Sequence, residues 1–153
     1  MKRITDLFEY VDGKLFWRVT RGRVRAGSEA GVIAKNGRRY VQVYGKKNLT
    51  HRIIWAMHNE ELPKFLDHID GDPLNNRIEN LRPATKSQNA MNRKVRSDSN
   101  TGVKGICIKG KRFGSSIFVN GSSCYLGTFD TPSLAQTAYA TASKEHFKEF
   151  SRV

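Results

Sequence analysis

The chain has 153 residues, which is enough for one ordinary domain or two small ones. Hydrophobic residues make up 38% of it and aromatic residues 10%, a composition that excludes an intrinsically disordered protein. Lysine and arginine total 27 against 14 acidic residues, and the resulting net charge of +13 attracts polyanions, so nucleic acid is the favoured partner.

Cysteine usage and hydropathy exclude further classes of protein. Cys107 and Cys124 form no CxxC pair, which excludes a structural zinc site of four thiolates, and we expect two free thiols in a reducing compartment. No apolar run reaches the length of a membrane span, and the first residues lack the apolar segment of a secretory signal. We therefore expect a soluble cytoplasmic protein without membrane contact.

The first segment, residues 1–50, is predicted to be basic and rich in β-strands. Residues 15–17 are an apolar run that follows the turn-forming Asp12-Gly13. Asn36-Gly37 separates the strand-like residues 31–33 and 40–44, which is a strong hairpin signal. Arginines crowd the loops around these strands, and their spacing indicates a surface that tracks nucleic-acid phosphates. These arginines are Arg18, Arg21, Arg23, Arg25, Arg38 and Arg39.

The second segment, residues 51–93, is predicted to contain a helix and then a strand, a loop, a strand and a second helix. The first helix is expected over residues 51 to about 60, capped by Thr50 and closed by Pro63. Turn formers at residues 70–73 mark the loop between the two strands. Thr85 and Gln88 have the spacing of a capping box, which predicts a second helix that ends near residue 93.

The third segment, residues 104–153, follows a polar linker at residues 94–103. It is predicted to hold three antiparallel strands and a helix. The strand candidates are residues 105–108, 113–120 and 123–129, with a hairpin turn at Asn120-Gly121. The helix is expected to begin at Pro132. Its predicted buried face consists of Leu134, Ala135, Ala138, Tyr139 and Ala142.

Asp67 and His68 bring together two groups that the hydrolysis of a phosphodiester needs. A neutral imidazole can take the proton of the attacking water. A hard divalent cation on oxygen ligands can stabilise the charged phosphate and the leaving 3′ oxygen. Because neighbouring side chains of a strand point to opposite faces, the pair must lie at a strand end or bulge to address one phosphate. The turn formers that follow favour a strand end.

The residues around this pair resemble the HNH homing endonucleases of phages. The resemblance is carried by DHIDGD at residues 67–72, NNRIENL at residues 75–81 and QN at residues 88–89. It implies a central ββα-metal motif in which His68 is the general base. It further implies that Asn80 braces the loop and orients the histidine, and that Asp67 and Asn89 hold a single divalent metal.

One departure from that family lies at its last motif position, where many members carry histidine and this chain carries Asn89. One carboxylate and one amide oxygen form a weak, hard site, which favours Mg²⁺ or Mn²⁺ over zinc. The implied substrate is double-stranded DNA. One active site per chain gives a nick, whereas a double-strand break needs a homodimer or two successive events. If the chain is phage-encoded, its compartment is the cytoplasm of the infected host cell.

The flanking segments carry looser resemblances. Residues 13–17 and 30–31 resemble the region that precedes HNH motifs in many phage proteins, and LGTFDT at residues 126–131 resembles the plant ethylene-response-factor DNA-binding domain. That domain lays a three-stranded sheet into the major groove. Cys107 and Phe118 replace arginines of that family, so we expect phosphate contacts without its sequence preference. The expected contacts are Lys104, Lys109, Lys111 and Arg112.

Taken together, the patterns predict an α+β protein that cleaves DNA, with two rival functions left open. One rival is a DNA-binding regulator in which the HNH element is a scaffold without turnover, and the other is an RNA-binding or ribosomal protein. Arg77 is expected either to touch a phosphate or to brace its loop. Asn75 and Asn76, together with Asp70 and Asp72, are interpreted as turn builders, and His51 as a support or DNA-facing residue.

Overall fold

A computed structural model describes residues 4–93, 95 and 99–151, so part of the predicted linker lies outside the described residues. The chain divides into two compact units, Met1–Pro83 and Ala84–Val153. The two units together contain helices and several small antiparallel sheets, which confirms the expected mixture of helices and strands. Within the described ranges no helix combines the length and the apolar character needed to cross a membrane.

The first unit begins with a 3-10 turn, Ile4–Leu7, and a hairpin of β1 (Phe8–Val11) and β2 (Lys14–Trp17). Val11 pairs with Lys14, so Asp12 and Gly13 alone form the connection. Both have positive φ values, 47° and 83°, which matches a two-residue turn of the type that suits the twist of a hairpin. The predicted turn and β2 are confirmed, whereas β1 carries no clear sequence signal.

A second sheet in this unit contains β3 (Val32–Ile33), β4 (Arg39–Val43) and β5 (Lys46–Leu49), in that order. Val32 pairs with Tyr40 across the predicted Asn36-Gly37 turn, which confirms this hairpin. The strands β4 and β5 are joined by the two-residue turn Tyr44-Gly45. Its φ values of 50° and 74° repeat the geometry of the Asp12-Gly13 turn.

Helix α1 (Thr50–His58) presents Ile53 and Ile54 to the core of the first unit. The expectation that Thr50 caps this helix is wrong. Leu49 is the N-cap, while Thr50 lies within the first turn, is fully buried and makes no hydrogen bond through its hydroxyl. The helix also ends at His58, before Pro63. The remaining core residues of the first unit are Leu7, Phe8, Leu15, Trp17, Ala30, Val41, Val43 and Leu81.

The predicted order of strand, loop, strand and helix is confirmed. β6 (Phe65–His68) and β7 (Leu81–Ala84) form a two-stranded sheet, and a 3-10 turn, Ile78–Asn80, precedes β7. Helix α2 (Lys86–Met91) opens with the expected capping box, in which Thr85 and Gln88 exchange hydrogen bonds. Because α2 belongs to the second unit, the ββα-metal arrangement itself stays a prediction.

The second unit contains a three-stranded antiparallel sheet and a helix, as expected. Its strands β8 (Ile106–Lys109), β9 (Arg112–Val119) and β10 (Ser122–Phe129) lie with β9 in the centre. Helix α3 (Pro132–Phe147) has proline in its first turn and Thr131 as N-cap. A 3-10 turn follows α3, and the buried core consists of Met91, Ile117, Tyr139, Ala142, Phe147 and Phe150.

One residue of the predicted buried face of α3 is misassigned. Leu134 is 54% exposed, whereas Ala135 and Tyr139 are buried. The apolar spacing predicted the helix, but the packed stripe is centred one position later.

Candidate active site

The predicted catalytic pair lies where β6 ends. His68 is the last residue of that strand, and its carbonyl oxygen accepts a hydrogen bond from Gly71 N at 2.9 Å, which closes a tight turn. Gly71 has a φ of 68°, a left-handed conformation that suits glycine. The strand end expected from the turn formers is therefore present. Asp67 and His68 are both buried, with 4% and 5% of their surfaces exposed.

The imidazole of His68 has two close partners in the first unit. Its Nε2 lies 2.9 Å from Oδ1 of Asn76, a side chain that is 2% exposed. The ring of His51 meets it edge to face, with ring centroids 5.1 Å apart. His51 lies on α1 and Asn76 lies in the loop after β6, so two separate elements of the first unit hold the ring of His68.

Burial and positive charge both hold these imidazoles neutral. Burial, together with the smaller effects of His68, Arg38 and Arg52, lowers the pKa of His51 to about 3. Burial also lowers the pKa of His68; the hydrogen bond with Asn76 acts against that shift, and Arg38 acts with it. A neutral imidazole is the protonation state that can accept a proton.

The loop after His68 is braced by the side chain of Asn80. Its Nδ2 donates to Oδ1 of Asp70 at 2.9 Å and to the carbonyl oxygen of Asn75 at 2.8 Å. Its Oδ1 accepts from Asp70 N at 3.1 Å, so one amide ties both ends of the loop together. These are the contacts of a loop-bracing residue, which is the part that the resemblance implies for Asn80.

Asp70 is a turn builder, as expected, and it is built into the same network. Partial burial acts to raise the pKa of its carboxyl, but hydrogen bonds from Asp72 N, Asn80 and Asn75 lower it below the ordinary value. Asp72 N lies 2.8 Å from Oδ1 of Asp70, and Nδ2 of Asn75 lies 2.7 Å from its Oδ2. The loop thus keeps a charged carboxylate at its centre.

Asp67, the predicted metal ligand, forms a buried ion pair. Its Oδ2 accepts from two nitrogen atoms of Arg82 on β7, at 3.0 and 3.1 Å, and little of either side chain is exposed. The second predicted ligand, Asn89, is half-buried on α2 in the second unit. No group of three or more His, Cys, Asp or Glu side chains in the described part of the chain could hold a metal ion. An Asp67–Asn89 site therefore stays a prediction.

The loop that carries Asn76 is supported by the β1–β2 hairpin. Arg77 forms a 2.8 Å ion pair with Asp12, and Ile78 N donates to the hydroxyl of Tyr10 at 3.1 Å. A Cβ atom added to Gly13 would lie 2.9 Å from Arg77 N, so the turn and the loop are in tight backbone contact. Arg77 thus makes the loop-bracing contact, one of its two expected roles.

The predicted DNA-contacting arginines of the first unit differ in their surroundings. Arg18, Arg21, Arg23 and Arg25 are exposed, and the guanidinium of Arg21 lies 4.6 Å from the ring centroid of Tyr44. Arg39 is half-buried and forms a 2.6 Å ion pair with Glu29. Arg38, also half-buried, is close enough to lower the pKa values of His51 and His68.

The predicted contacts of the second unit are also mixed. Lys104 Nζ donates to the carbonyl oxygen of Met91 at 2.7 Å. Lys109 Nζ lies over the ring of Tyr125, 4.7 Å from its centroid, and Arg112 pairs with Asp130 at 2.8 Å. Lys111 is exposed in the connection between β8 and β9.

Sequence reasoning missed three residues that contact the predicted site or its loop, namely Asn76, Tyr10 and Arg82. Asn76 was interpreted as a turn builder, and neither Tyr10 nor Arg82 was singled out. The asparagine pair that opens the NNRIENL run is the signal that pointed toward Asn76, because Asn75 alone accounts for the turn. The contact of Tyr10 with Ile78 spans 68 positions, which no local pattern encodes.

Comparison with known proteins identifies one family and two viral relatives. Residues 48–91 match the sequence model of the HNH endonuclease family. Over 69 residues the chain is 39% identical to "Protein 3.8" of Escherichia phage T7, which covers 44% of this chain and 56% of that protein. Over 121 residues it is 32% identical to an "Uncharacterized HNH endonuclease" of Acanthamoeba polyphaga mimivirus, covering 77% of this chain and 63% of the relative.

The chain spans less than two thirds of the length of either relative, 56% of one and 63% of the other. No solved structure matches it. The family match ends at residue 91, and the expected likeness of the third segment to the plant ethylene-response factors is not supported. Residues 48–91, which include His51, His68 and Asn80, are therefore similar to the HNH endonuclease family, and the chain is similar to two viral proteins.

Proposed function

We propose that this protein is a metal-dependent DNA endonuclease of the homing type, which hydrolyses a phosphodiester of double-stranded DNA with His68 as general base. The observation that carries the proposal is a buried, neutral imidazole at the end of β6, held by Asn76 and His51 within the HNH segment. The net charge of +13 supports a polyanionic substrate.

The chemistry assigned to His68 is the removal of a proton from the attacking water. A lowered pKa keeps the ring in its basic, neutral form near neutral pH. Asn80 contributes indirectly, since it ties Asp70 and Asn75 together and so fixes the loop that supports the histidine. Asn80 is therefore proposed as a positioning residue.

Asp67 and Asn89 are proposed to hold one divalent metal, Mg²⁺ or Mn²⁺. Their donor set fits such an ion, because one carboxylate and one amide supply hard oxygen ligands. When bound, the metal would stabilise charge on the phosphate and on the leaving 3′ oxygen. In this assignment the ion pair with Arg82 orients the buried carboxylate of Asp67.

The basic residues around the domain are proposed to hold the duplex. Exposed arginines of the first unit and Lys111 of the second are available for phosphate contacts, which carry no sequence information themselves. The three-stranded sheet of the second unit carries Phe118 and Tyr125 as exposed aromatics, so it is proposed as a further DNA-binding surface. Cleavage by one site per chain would give a nick.

Cleavage of supercoiled plasmid and phage DNA tests the proposal. The wild-type protein should convert supercoiled DNA to the nicked form with Mg²⁺ or Mn²⁺ and not with a chelator. His68→Ala should cut about 100-fold more slowly or worse and keep its DNA affinity within a few fold. The matched control is His146→Ala, because His146 is exposed on α3 and should leave the rate unchanged.

A DNA-binding regulator is the second candidate, and a specific observation favours it. His68 is only 5% exposed, and Asp67 is engaged by Arg82, as in a purely structural element. A regulator predicts tight DNA binding with no metal-dependent cleavage by the wild-type protein over a broad set of DNA substrates. Equal rates for the wild-type protein and His68→Ala would also reject His68 as the base.

A further inference from the structure

We propose that Asn76 is a positioning residue that selects the tautomer of His68, with Nε2 protonated and Nδ1 carrying the lone pair. The inference rests on the proposed function, because it names the atom of His68 that would act as the base. Neither the sequence pattern nor the family match assigns this part to Asn76, which was interpreted above as a turn builder.

The contact between His68 and Asn76 determines where the proton lies. Nε2 of His68 lies 2.9 Å from Oδ1 of Asn76, an ordinary hydrogen-bond distance. A neutral imidazole has one N–H donor and one acceptor nitrogen, whereas an amide oxygen only accepts. The hydrogen bond therefore requires the proton on Nε2. Both side chains are buried, at 5% and 2% exposure, so leaving either group unmatched would be costly.

The hydrogen bond with Asn76 also fixes the orientation of the imidazole ring. A half-turn of the imidazole about its Cβ–Cγ bond would exchange Nε2 with a carbon atom, and Asn76 would lose its donor. The edge-to-face packing of His51 on the same ring restricts such a turn further. One amide thus determines which nitrogen carries the proton and where the other nitrogen points.

Asn76 is itself held in place by its loop. Its backbone N–H donates to the carbonyl oxygen of Leu74 at 3.0 Å. On one side the carbonyl oxygen of Asn75 accepts a hydrogen bond from Asn80, and on the other side Arg77 forms an ion pair with Asp12. The loop is therefore fixed immediately before and after Asn76, which a positioning residue needs.

The consequence is a defined path for the proton. Nδ1 takes a proton from water, and the electron pair of the broken O–H bond stays on the hydroxide oxygen. That oxygen forms the new bond to phosphorus, while the bond from phosphorus to the 3′ oxygen breaks and its electron pair leaves with that oxygen. The charged ring still donates through Nε2, and a hydrogen bond from an ionised donor is stronger.

The direct test is ¹⁵N spectroscopy of the full-length protein labelled at histidine. The wild-type spectrum at neutral pH should show His68 as the Nε2–H tautomer, with Nδ1 unprotonated. Asn76→Ala should shift the ring toward a tautomer mixture and lower kcat about 10- to 100-fold with KM changed only a few fold. Asn76→Asp keeps an acceptor oxygen and should restore the tautomer and part of the rate.

Asn75→Ala is the matched control, because Asn75 supports the same loop through Asp70 and does not bond the histidine. It should leave the tautomer of His68 unchanged. An Nδ1–H tautomer in the wild-type protein would overturn the proposal, as would an unchanged tautomer in a folded Asn76→Ala variant. If Asn76→Ala fails to fold, Asn76→Leu, which removes the acceptor oxygen but keeps the side-chain volume, takes its place with the same expected change of tautomer. If the protein cuts no DNA but shows the Nε2–H tautomer, the proposed function fails while the tautomer assignment stands.

Discussion

The ring of His51 packs edge to face against the ring of His68, with centroids 5.1 Å apart and an interplanar angle of 78°. Both rings are buried, and the charge of Arg38 acts on both. A proton on either ring would place a second positive charge in this cluster without removing the cost of burial. The first unit therefore buries two uncharged imidazoles in contact, one of which is the proposed base.

This pair predicts that the protein loses stability as the pH falls from neutral. The folded pKa of His51 is about 3, below its ordinary value of 6.5, so between these values the unfolded chain binds a proton that the folded chain does not. The contribution of His51 to the free energy of unfolding is fully present above pH 6.5. Below that pH it declines by about 1.4 kcal/mol per pH unit. The lowered pKa of His68 acts in the same direction. Urea unfolding between pH 7.5 and about 5 measures the slope, above the range in which carboxylates titrate.

The control for this slope compares two histidines. A folded His51→Gln variant should show a smaller loss of stability with falling pH, because one of the two buried imidazoles is gone. His146→Ala should keep the wild-type slope, since His146 is exposed. A slope that stays the same in His51→Gln would show that other groups cause it.

A second prediction concerns the contact of the β1–β2 turn with the loop of Asn76. Gly13→Ala places a Cβ atom 2.9 Å from Arg77 N, where real Cβ atoms almost never lie, in a residue with a φ of 83°. We expect a loss of about 2 to 3 kcal/mol, of which about 1 comes from the left-handed backbone and the rest from the collision.

Gly45→Ala is a close control for that variant. Gly45 occupies the same position of an equivalent turn, with a φ of 74°, and an added Cβ meets nothing within 4 Å. It should cost about 1 kcal/mol, from the backbone alone. Urea unfolding measures the free energy of unfolding of both variants. Equal losses would mean that the loop moves away from the added Cβ atom without losing stability.

Local signals predicted much of this fold, and long-range contacts account for what they missed. Asn36-Gly37, Asn120-Gly121 and the Thr85 capping box act over two to four neighbouring residues, and the structure contains all three. Thr50 had the residue type of a cap, yet burial in the first turn of α1 places Leu49 there instead. Tertiary packing overrode local preference at that position.

The candidate site divides in the same way. Asp67 and His68 are neighbours in the sequence, and the turn after them predicted the strand end at which they lie. The partners of His68 come from α1 and from the loop, and sequence spacing does not reveal which side chains of those elements reach the ring. The ion pair of Asp12 with Arg77 spans 65 positions and has no local signature.

A third prediction contrasts two arginine–aspartate pairs of the first unit. The Arg82–Asp67 pair is buried, with side-chain exposures of 14% and 5%, whereas the Arg77–Asp12 pair has exposures of 57% and 67%. Arg82→Ala removes the cation of this ion pair from a buried carboxylate and should cost about 3 to 5 kcal/mol. Arg77→Ala should cost no more than about 1 kcal/mol, because exposed ion pairs are screened by water and salt.

Urea unfolding at neutral pH measures both losses. If Arg82→Ala proves too unstable to purify, Arg82→Lys keeps a charge without the paired N–H groups and should show an intermediate loss. A cost for Arg82→Ala as small as that for Arg77→Ala would show that the Asp67 carboxylate does not depend on its partner.

The last prediction concerns the exposed arginines between β2 and β3. If Arg23 and Arg25 each neutralise a DNA phosphate, Arg23→Ala/Arg25→Ala should reduce the slope of log K against log salt by about 1.8, or about 0.9 per contact. Lys144→Ala/Lys148→Ala removes the same charge from exposed positions near the end of α3 and should leave the slope nearly unchanged. Fluorescence anisotropy with a labelled duplex at several salt concentrations gives both slopes. The slope reports the number of phosphate contacts, and the two variants lose the same net charge. Equal reductions would therefore assign the effect to overall charge. They would remove the arginine-rich loop from the proposed DNA-binding surface.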